Sequence, residues 1–383
     1  MKTLDDELTI KGLRLRNRIA LPPLTTNYGT SEGMVTDAVL AFYAERAKDV
    51  GLVIVEATAV RADGRIVPRS LGLWDDAQIE GMAHLAHAVL SKGAAVVVQL
   101  NHAGARGTPT GGELQGASPS GIGLRPDVAP VILHQDQISH LASAFADAAE
   151  RAAQAGFHGV EIHGAHLYLI SQFLSPFTNR RDDRYGGDAT ARSAFAREVV
   201  RAVRDRLGKD YPILFRINAV EEMEGGQTLT DTLQISRILR EEGIDLLDVS
   251  LIAGCSWREV GEKRYPICRS ALSKDQPPGA NVAASARIKA ATGLPVIAVG
   301  KLGDGTAAAR SVRESEVDVV AIGRQMIADP DTAGKILSGQ GRHIVPCKEC
   351  MNCFASIGKG ASLTCKVNTN LPGAHHERDI PTR

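Results

Sequence analysis

The sequence predicts an α/β protein built as one TIM (β/α)8 barrel. Eight short apolar runs alternate with helix-sized segments, which is the order that such a barrel requires. Polar and small residues collect at the carboxyl ends of these runs, where barrel enzymes place their chemistry. The rival doubly wound sheet would carry a G-x-G-x-x-G motif after its first strand, and no such motif stands there. A length of 383 residues suits one large barrel or two smaller domains.

Each predicted strand is an apolar run bounded by turn residues. The predicted strands are Ile19–Leu24, Leu52–Glu56, Ala95–Leu100, Gly159–His163, Ile213–Ile217, Leu246–Val249, Val296–Val299 and Val319–Ile322. Several predicted helices finish at glycine, the residue favoured just past a helix end. The predicted helices are Asp136–Gly156, Ala189–Leu207, Thr228–Gly243 and Asn281–Gly293.

Two further segments complete the predicted architecture. Residues Glu7–Leu15 precede the first strand and predict a short hairpin that closes the bottom of the barrel. The barrel itself is predicted over residues 1–340. A short Cys-rich C-terminal extension, residues 341–383, is predicted to pack on it.

The composition excludes several classes of partner. Hydrophobic residues make up 44% and charged residues 23%, as in ordinary globular proteins. Lys+Arg and Asp+Glu each total 44, so no basic surface for nucleic acid is expected. The first residues are acidic where a signal peptide would be apolar, and no apolar run approaches the ~18 residues of a membrane span. We expect a cytoplasmic protein without a membrane partner, and leave a homo-oligomer open.

The most informative stretch runs from Val160 to Tyr168. It reads as a buried parallel strand that delivers His163, His166 and Tyr168 at its carboxyl end. Two imidazole N–H groups can hold one carbonyl oxygen, and a nearby phenol can supply a proton. Alternatives from the residues alone are a pair of hydrogen-bonded core histidines beside a packing tyrosine, or a metal pair that lacks an obvious third ligand.

The ends of the seventh and eighth strands predict a phosphate site. Gly300-Lys301 and Gly323-Arg324 each join a glycine to a cation. Backbone N–H groups at these positions of a barrel commonly hold a phosphate. Taken singly, each pair could be no more than a turn after a strand.

Taken together, these residues and their neighbours resemble the Old Yellow Enzyme family of flavin oxidoreductases. The resemblance covers nearly the whole chain, from about Leu8 to Asn368. The motifs that carry it are Asn17–Thr25, Val55–Ala57, Val98–Gly104, His163–Pro176, Asn179–Gly187, Gly323-Arg324 and Asp329-Pro330.

The resemblance implies bound FMN and an NADH or NADPH hydride donor. The flavin ring would lie against Pro23, Leu24, Thr25 and Ala57, its pyrimidine edge would meet Gln99 and Arg216, and its phosphate would meet Gly300, Lys301, Gly323 and Arg324. In the implied reaction the flavin N5 passes hydride to the C=C bond of an α,β-unsaturated carbonyl compound. His163 and His166 would hold the carbonyl oxygen while Tyr168 protonates the α-carbon.

Four cysteines crowd into the C-terminal extension with the spacing C-x2-C-x2-C-x11-C. They are Cys347, Cys350, Cys353 and Cys365, whereas Cys255 and Cys268 stand apart. Such clustering indicates a metal or redox centre before disulfides. The pattern resembles the 4Fe-4S motif of the dienoyl-CoA reductase branch of the family. That branch, however, spaces its second and third cysteines by three residues, so zinc or no metal stays open.

Other functions also stay open at this stage. An iron–sulfur cluster would need an external electron donor such as a ferredoxin or flavodoxin. Within the same fold, the family also resembles amine dehydrogenases that pass electrons out through such a cluster, although the paired histidines suit a cationic amine poorly. A flavin-free barrel lyase or hydrolase with histidine acid and base is the alternative from another class.

Overall fold

A computed structural model describes residues 1–107 and 115–373. The strands are β1 (Leu8–Ile10), β2 (Leu13–Leu15), β3 (Ile19–Leu21), β4 (Leu52–Ala59), β5 (Ala95–Asn101), β6 (Gln115–Ser118), β7 (Ala129–Ile132), β8 (Gly159–Gly164), β9 (Ile213–Glu221), β10 (Leu246–Ile252), β11 (Cys255–Val260), β12 (Lys263–Cys268), β13 (Val296–Val299) and β14 (Val319–Ala321). The α-helices are α1 (Asp37–Arg46), α2 (Ile79–Leu90), α3 (Gln135–Gln154), α4 (Leu169–Leu174), α5 (Ala189–Arg192), α6 (Ala194–Leu207), α7 (Leu229–Glu241), α8 (Val282–Thr292), α9 (Thr306–Arg313), α10 (Arg324–Ala328), α11 (Thr332–Leu337) and α12 (Asn352–Gly358).

Eight of these strands form a closed parallel barrel in the order β3-β4-β5-β8-β9-β10-β13-β14, with β14 pairing back to β3. The (β/α)8 barrel predicted from the sequence is confirmed, and each predicted strand supplies one barrel strand. Strands β4, β5, β8 and β10 are buried along their whole length. Such strands lack a polar face because helices cover the outside of the barrel.

Two predicted boundaries differ for local reasons. The first strand ends at Leu21 and not at Leu24, because Pro22 and Pro23 have no N–H for the ladder. The predicted helix Ala189–Leu207 is two helices, α5 and α6, that meet at Ser193. The Ser193 hydroxyl donates to the Thr190 carbonyl at 2.7 Å, a local bond that competes with the helical ladder.

Two small sheets lie outside the barrel, in segments where the sequence analysis predicted no strand. Strands β6 and β7 form a parallel pair, and β11 and β12 form an antiparallel hairpin. Cys255 and Cys268 lie outside the four-cysteine cluster, and the sequence analysis predicted no bond between them. They are direct cross-strand partners at the base of this hairpin and form a disulfide. The sequence also predicts a Gly/Pro-rich loop over Gly104–Pro126, and residues 108–114 of this stretch lie outside the described residues.

The bottom of the barrel is filled by the N-terminal hairpin, β1 and β2. Its buried side chains Ile10, Leu13 and Leu15 pack inside the barrel on inward-facing residues such as Ile54 and Val97. The predicted position of this hairpin is confirmed. The opposite end, where the strands finish, stays open for a site.

The C-terminal extension crosses the upper end of the barrel near β3. Leu363 N–H donates to Thr26 O at 2.8 Å, and Tyr28 Oη donates to Leu363 O at 2.8 Å. Division of the chain at residue 340 stays a prediction. Within the described ranges, no helix has both the length and the apolar character needed to cross a bilayer.

Candidate active site

A cavity of about 1460 Å³ opens at the carboxyl ends of the barrel strands. Small-molecule pockets commonly measure roughly 300–1,000 Å³, so this one has room for two ligands side by side. Its lining includes every residue that the sequence assigned to catalysis or to the flavin: Pro23, Leu24, Thr25, Ala57, Gln99, His163, His166, Tyr168, Arg216, Gly300, Lys301, Gly323 and Arg324.

The loop after β8 places the catalytic candidates. His163 stands at the end of the strand, and the next turn places His166 and Leu167 at φ of 63° and 55°. Left-handed backbone is costly for residues other than glycine and is common at functional sites. The turn is held by His166 N–H donating to Asn218 Oδ1 at 3.3 Å, and it ends at Tyr168, the N-cap of α4.

The two histidines are hydrogen-bonded to each other and to a serine. His163 Nε2 lies 3.1 Å from His166 Nδ1, and His166 Nε2 lies 2.7 Å from Ser250 Oγ. His163 Nδ1 is buried and has no partner in the described part of the chain. In this arrangement one ring nitrogen of the pair, and not two, is left to meet a ligand.

Both imidazoles are held neutral. Burial lowers the pKa of His163 and of His166 well below the usual range, and the charge of Arg216 lowers both pKa values further. A neutral imidazole has one donor and one acceptor nitrogen. If Ser250 donates to His166, then His166 donates to His163, and His163 Nδ1 must carry the proton.

Tyr168 completes the trio. Its ring centroid lies 5.0 Å from that of His163, and Arg106 lies 5.4 Å above the ring. Burial raises the pKa of Tyr168 above its ordinary value. The phenol therefore carries its proton throughout the physiological range and can act as an acid.

A buried polar network lies one layer below the trio. Gln99 Nε2 donates to Glu161 Oε1 at 2.7 Å, which leaves the Gln99 carbonyl oxygen as an acceptor. Arg216 Nη1 lies 3.1 Å from Asp248 Oδ2. Burial and the neighbouring Asp248 carboxyl raise the pKa of Glu161 well above its usual range.

These groups fit the polar edge of a flavin. Arg216 Nε is buried and has no hydrogen-bond partner among residues 1–107 and 115–373, whereas Arg216 Nη1 is ion-paired with Asp248. Leaving such donors unsatisfied is costly, and an acceptor-bearing ligand would relieve that cost. A pyrimidine ring with C=O acceptors and an N–H donor matches the Arg216 Nε–H and the Gln99 oxygen.

At the predicted phosphate end the side chains already have partners. Lys301 Nζ pairs with Glu349 Oε2 at 2.9 Å, and Arg324 Nη2 donates to Leu272 O at 2.9 Å. Gly300 takes φ of 138°, which a residue with a side chain rarely adopts. The backbone here suits a phosphate more directly than the Lys301 amine does.

The comparisons with known proteins agree with this geometry. The model of the NADH:flavin oxidoreductase / NADH oxidase family matches residues 6–342. The chain belongs to this family. The resemblance to Old Yellow Enzyme is thereby confirmed.

The proteins most informative for comparison differ in length from one another. An NADH oxidase of Thermoanaerobacter brockii is 37% identical over 95% of the chain and 56% of its own length. An NADPH dehydrogenase of Clostridium acetobutylicum is 36% identical over 84% of the chain and 91% of its own length. A 2-naphthoyl-CoA reductase, solved with 2-naphthoyl-CoA, has a TM-score of 0.87 at 25% identity over 97% of the chain and 58% of its own. The chain thus spans little more than half of the first and third.

The cysteines of this flavin oxidoreductase chain lie around one region of the extension. Glu349 N–H donates to Cys347 Sγ at 3.4 Å, and Val367 N–H donates to Cys365 Sγ at 3.3 Å. Burial, together with the neighbouring cysteines, raises the pKa of Cys353 to about 11. Across the described ranges, however, no three His, Cys, Asp or Glu side chains are grouped closely enough to hold a metal ion.

Sequence reasoning missed several residues of the site. Glu161 stands two residues before His163, so the period of two places both on the inner face of β8, a signal that was available. Asp248 and Ser250 share the inner face of β10 in the same way. Arg106 carried no signal, since only the fold brings it to Tyr168.

Proposed function

We propose that this protein is an FMN-dependent oxidoreductase that uses NADH or NADPH to reduce the C=C bond of α,β-unsaturated carbonyl compounds. One observation carries the proposal. A neutral histidine pair and a protonated tyrosine line the same cavity as the polar groups that fit a flavin. The family and the NADPH dehydrogenase relative support the cofactor and the nicotinamide donor.

When bound, FMN supplies a two-electron carrier between the nicotinamide and the unsaturated substrate. Pro23, Leu24, Thr25 and Ala57 offer a wall for its ring. Gln99 and Arg216 would hold its polar edge, and the permanent charge of Arg216 favours an anionic reduced form. Gly300, Lys301, Gly323 and Arg324 would hold its phosphate.

The histidine pair binds and polarises the substrate carbonyl. His163 Nδ1–H donates to the oxygen and stabilises the negative charge that develops there. Losing one such donor typically lowers the rate about 10²–10³-fold. Ser250 and His166 act behind it, because their hydrogen bonds determine which nitrogen of His163 carries the proton.

Tyr168 Oη delivers a proton to the α-carbon. Arg106 stacks on the Tyr168 ring and donates to the His166 carbonyl. The same cation disfavours the amine-oxidation alternative, because a cationic amine would be repelled from Tyr168. A flavin-free lyase or hydrolase leaves the buried Arg216 Nε–H without a hydrogen-bond acceptor in the described residues.

The four cysteines are proposed to bind a 4Fe-4S cluster. The spacing C-x2-C-x2-C-x11-C supports this proposal, because short intervals followed by one distant cysteine can wrap such a cluster. Burial raises the pKa of the Cys347 thiol, and Cys350 and Cys365 also lie near enough to it to contribute to that rise. Iron, sulfide and zinc analysis of anaerobically purified protein tests this; stoichiometric zinc without iron would refute it. The comparisons give no support for a ferredoxin or flavodoxin donor.

The proposed function is tested by the variant Tyr168→Phe. We expect the oxidation of reduced enzyme by an enone to slow about 10²–10⁴-fold, because a positioned acid contributes that much. Flavin reduction by NADPH should stay within about threefold, since no proton from Tyr168 is needed there. Anaerobic stopped-flow absorbance separates the two half-reactions, and an equal loss in both would refute the acid role.

A further inference from the structure

The hairpin of β11 and β12 turns one of its arginines toward the cavity. Arg258 and Tyr265 are direct cross-strand partners and therefore share a face, and both line the cavity. Arg264 follows a different path, because its guanidinium stacks 4.6 Å from the ring of Trp257. Arg258 of this hairpin therefore lines the cavity, whereas Arg264 does not.

The positive charge at this mouth exceeds the negative charge. Arg106, Arg125, Arg258 and Arg269 line the cavity here, and Asp127 is the acid beside them. Asp127 pairs with Arg125 at 2.9 Å. Arg106 and Arg269 donate to backbone carbonyls of Cys268 and Ala253, which satisfy hydrogen bonds without cancelling charge.

Arg258 itself has no hydrogen bond or ion pair with any residue in the described part of the chain. Its charge only adds to that of Arg125 in lowering the pKa of Asp127. An unpaired guanidinium at the rim of a ligand cavity can donate two parallel hydrogen bonds to two oxygens of a carboxylate or a phosphate.

The hairpin is fixed relative to the catalytic residues. The Cys255–Cys268 disulfide joins its two strands at the base. Arg106 donates to the carbonyl of Cys268 at 3.2 Å and also to that of His166. One guanidinium therefore ties the hairpin to the catalytic loop, and Arg258 is held at a set position from the histidine pair.

We propose that Arg258 binds an anionic group, a carboxylate or a phosphate, on the unsaturated carbonyl substrate itself. The substrate class would then be unsaturated carbonyl compounds that carry such an anion away from the reacting bond. This inference rests on the proposed function and narrows it. The nicotinamide dinucleotide also carries phosphates, so the test must separate the two sources.

The test uses the FMN-loaded enzyme and two matched enones. One carries a carboxylate at the end of a flexible alkyl chain, and the other carries the primary amide in its place. In wild type the carboxylate should have the higher kcat/KM, and the advantage should shrink with added salt because partly exposed charges are screened over about 10 Å. Arg258→Gln should lower the carboxylate-to-amide ratio about tenfold, whereas the control Arg264→Gln should leave it unchanged.

Each outcome decides the proposal. An unchanged ratio in Arg258→Gln overturns it. An unchanged ratio with weaker NADPH binding in the flavin-reduction step also overturns it, and assigns the anion site to the dinucleotide. Failure of both enones to reoxidise wild-type enzyme that NADPH has reduced would refute the proposed function instead, which keeps the two failures distinguishable.

Discussion

At the scale of single residues, the reactivity of this site depends on which nitrogen carries a proton. His163 and His166 are neutral because they are buried beside Arg216. In a chain of neutral imidazoles each ring donates one hydrogen bond and accepts one, so the first donor determines the direction of donation along the whole chain. Ser250 stands at the start of that chain and His163 Nδ1 at its end.

Ser250→Ala should therefore weaken catalysis, although the proposed role of Ser250 involves no contact with the substrate. Loss of the hydroxyl frees His166 to take either tautomer, and we expect enone reduction to slow about tenfold. Flavin reduction by NADPH should stay unchanged. Pre-steady-state rates of both half-reactions measure this. Ser236→Ala is the matched control, because Ser236 is a buried serine whose hydroxyl has no partner in the described residues. Equal effects in the two variants would contradict the orienting role.

Glu56 gives the protein a pH-dependent stability. It is fully buried beside Thr26 and Tyr43, and burial raises its pKa from 4.5 to about 7. A raised pKa means that the folded state binds the proton more tightly, so the stability due to this proton is present below pH 4.5 and is lost as pH rises through 7. Two and a half pKa units correspond to about 3 kcal/mol.

Glu56→Gln should abolish that dependence. We expect the free energy of unfolding of wild type, relative to the variant, to fall by about 3 kcal/mol between pH 4 and pH 8. Denaturant titrations at several pH values measure the difference. A constant difference across this range would show that Glu56 titrates alike in both states.

At the scale of elements, two hairpins serve opposite ends of the barrel. The hairpin of β1 and β2 fills the bottom with hydrocarbon, and the disulfide-linked hairpin of β11 and β12 borders the open top. Filling one end lets the other remain a cavity without loss of core packing. Stability and ligand binding are thus carried by different elements.

Leu13→Ala tests this separation. Leu13 is fully buried in the hairpin of β1 and β2, so its truncation should cost about 2–5 kcal/mol of stability through the cavity left behind. FMN content and half-reaction rates should not change, because this hairpin lies at the end of the barrel opposite the cavity. Chemical unfolding and flavin absorbance measure both. Arg14→Ala on the same hairpin is the exposed control, and loss of flavin in Leu13→Ala alone would contradict the separation.

At the scale of the whole molecule, the barrel was predictable because eight strands are buried on both faces and read as apolar runs. The position of His163, His166 and Tyr168 at the cavity was predictable, because residues that follow the carboxyl ends of barrel strands lie at the same end of the barrel. The hydrogen bond between the two histidines was not predictable, because it depends on the left-handed turn at His166 and Leu167. The contacts of Ser250 and Arg106 were not predictable either, because they depend on approaches between distant segments. The β11–β12 hairpin escaped prediction because its exposed, charged strands lack an apolar face.

The central claim is that this cavity passes electrons from NAD(P)H through bound FMN to an unsaturated carbonyl compound. An anaerobic titration of the purified protein, followed by flavin absorbance, tests it most directly. The account predicts that one equivalent of NADPH bleaches the flavin absorbance and that an enone then restores it, with the saturated carbonyl compound as product. Protein that binds no flavin, or whose NADPH-bleached absorbance no enone restores, would contradict it.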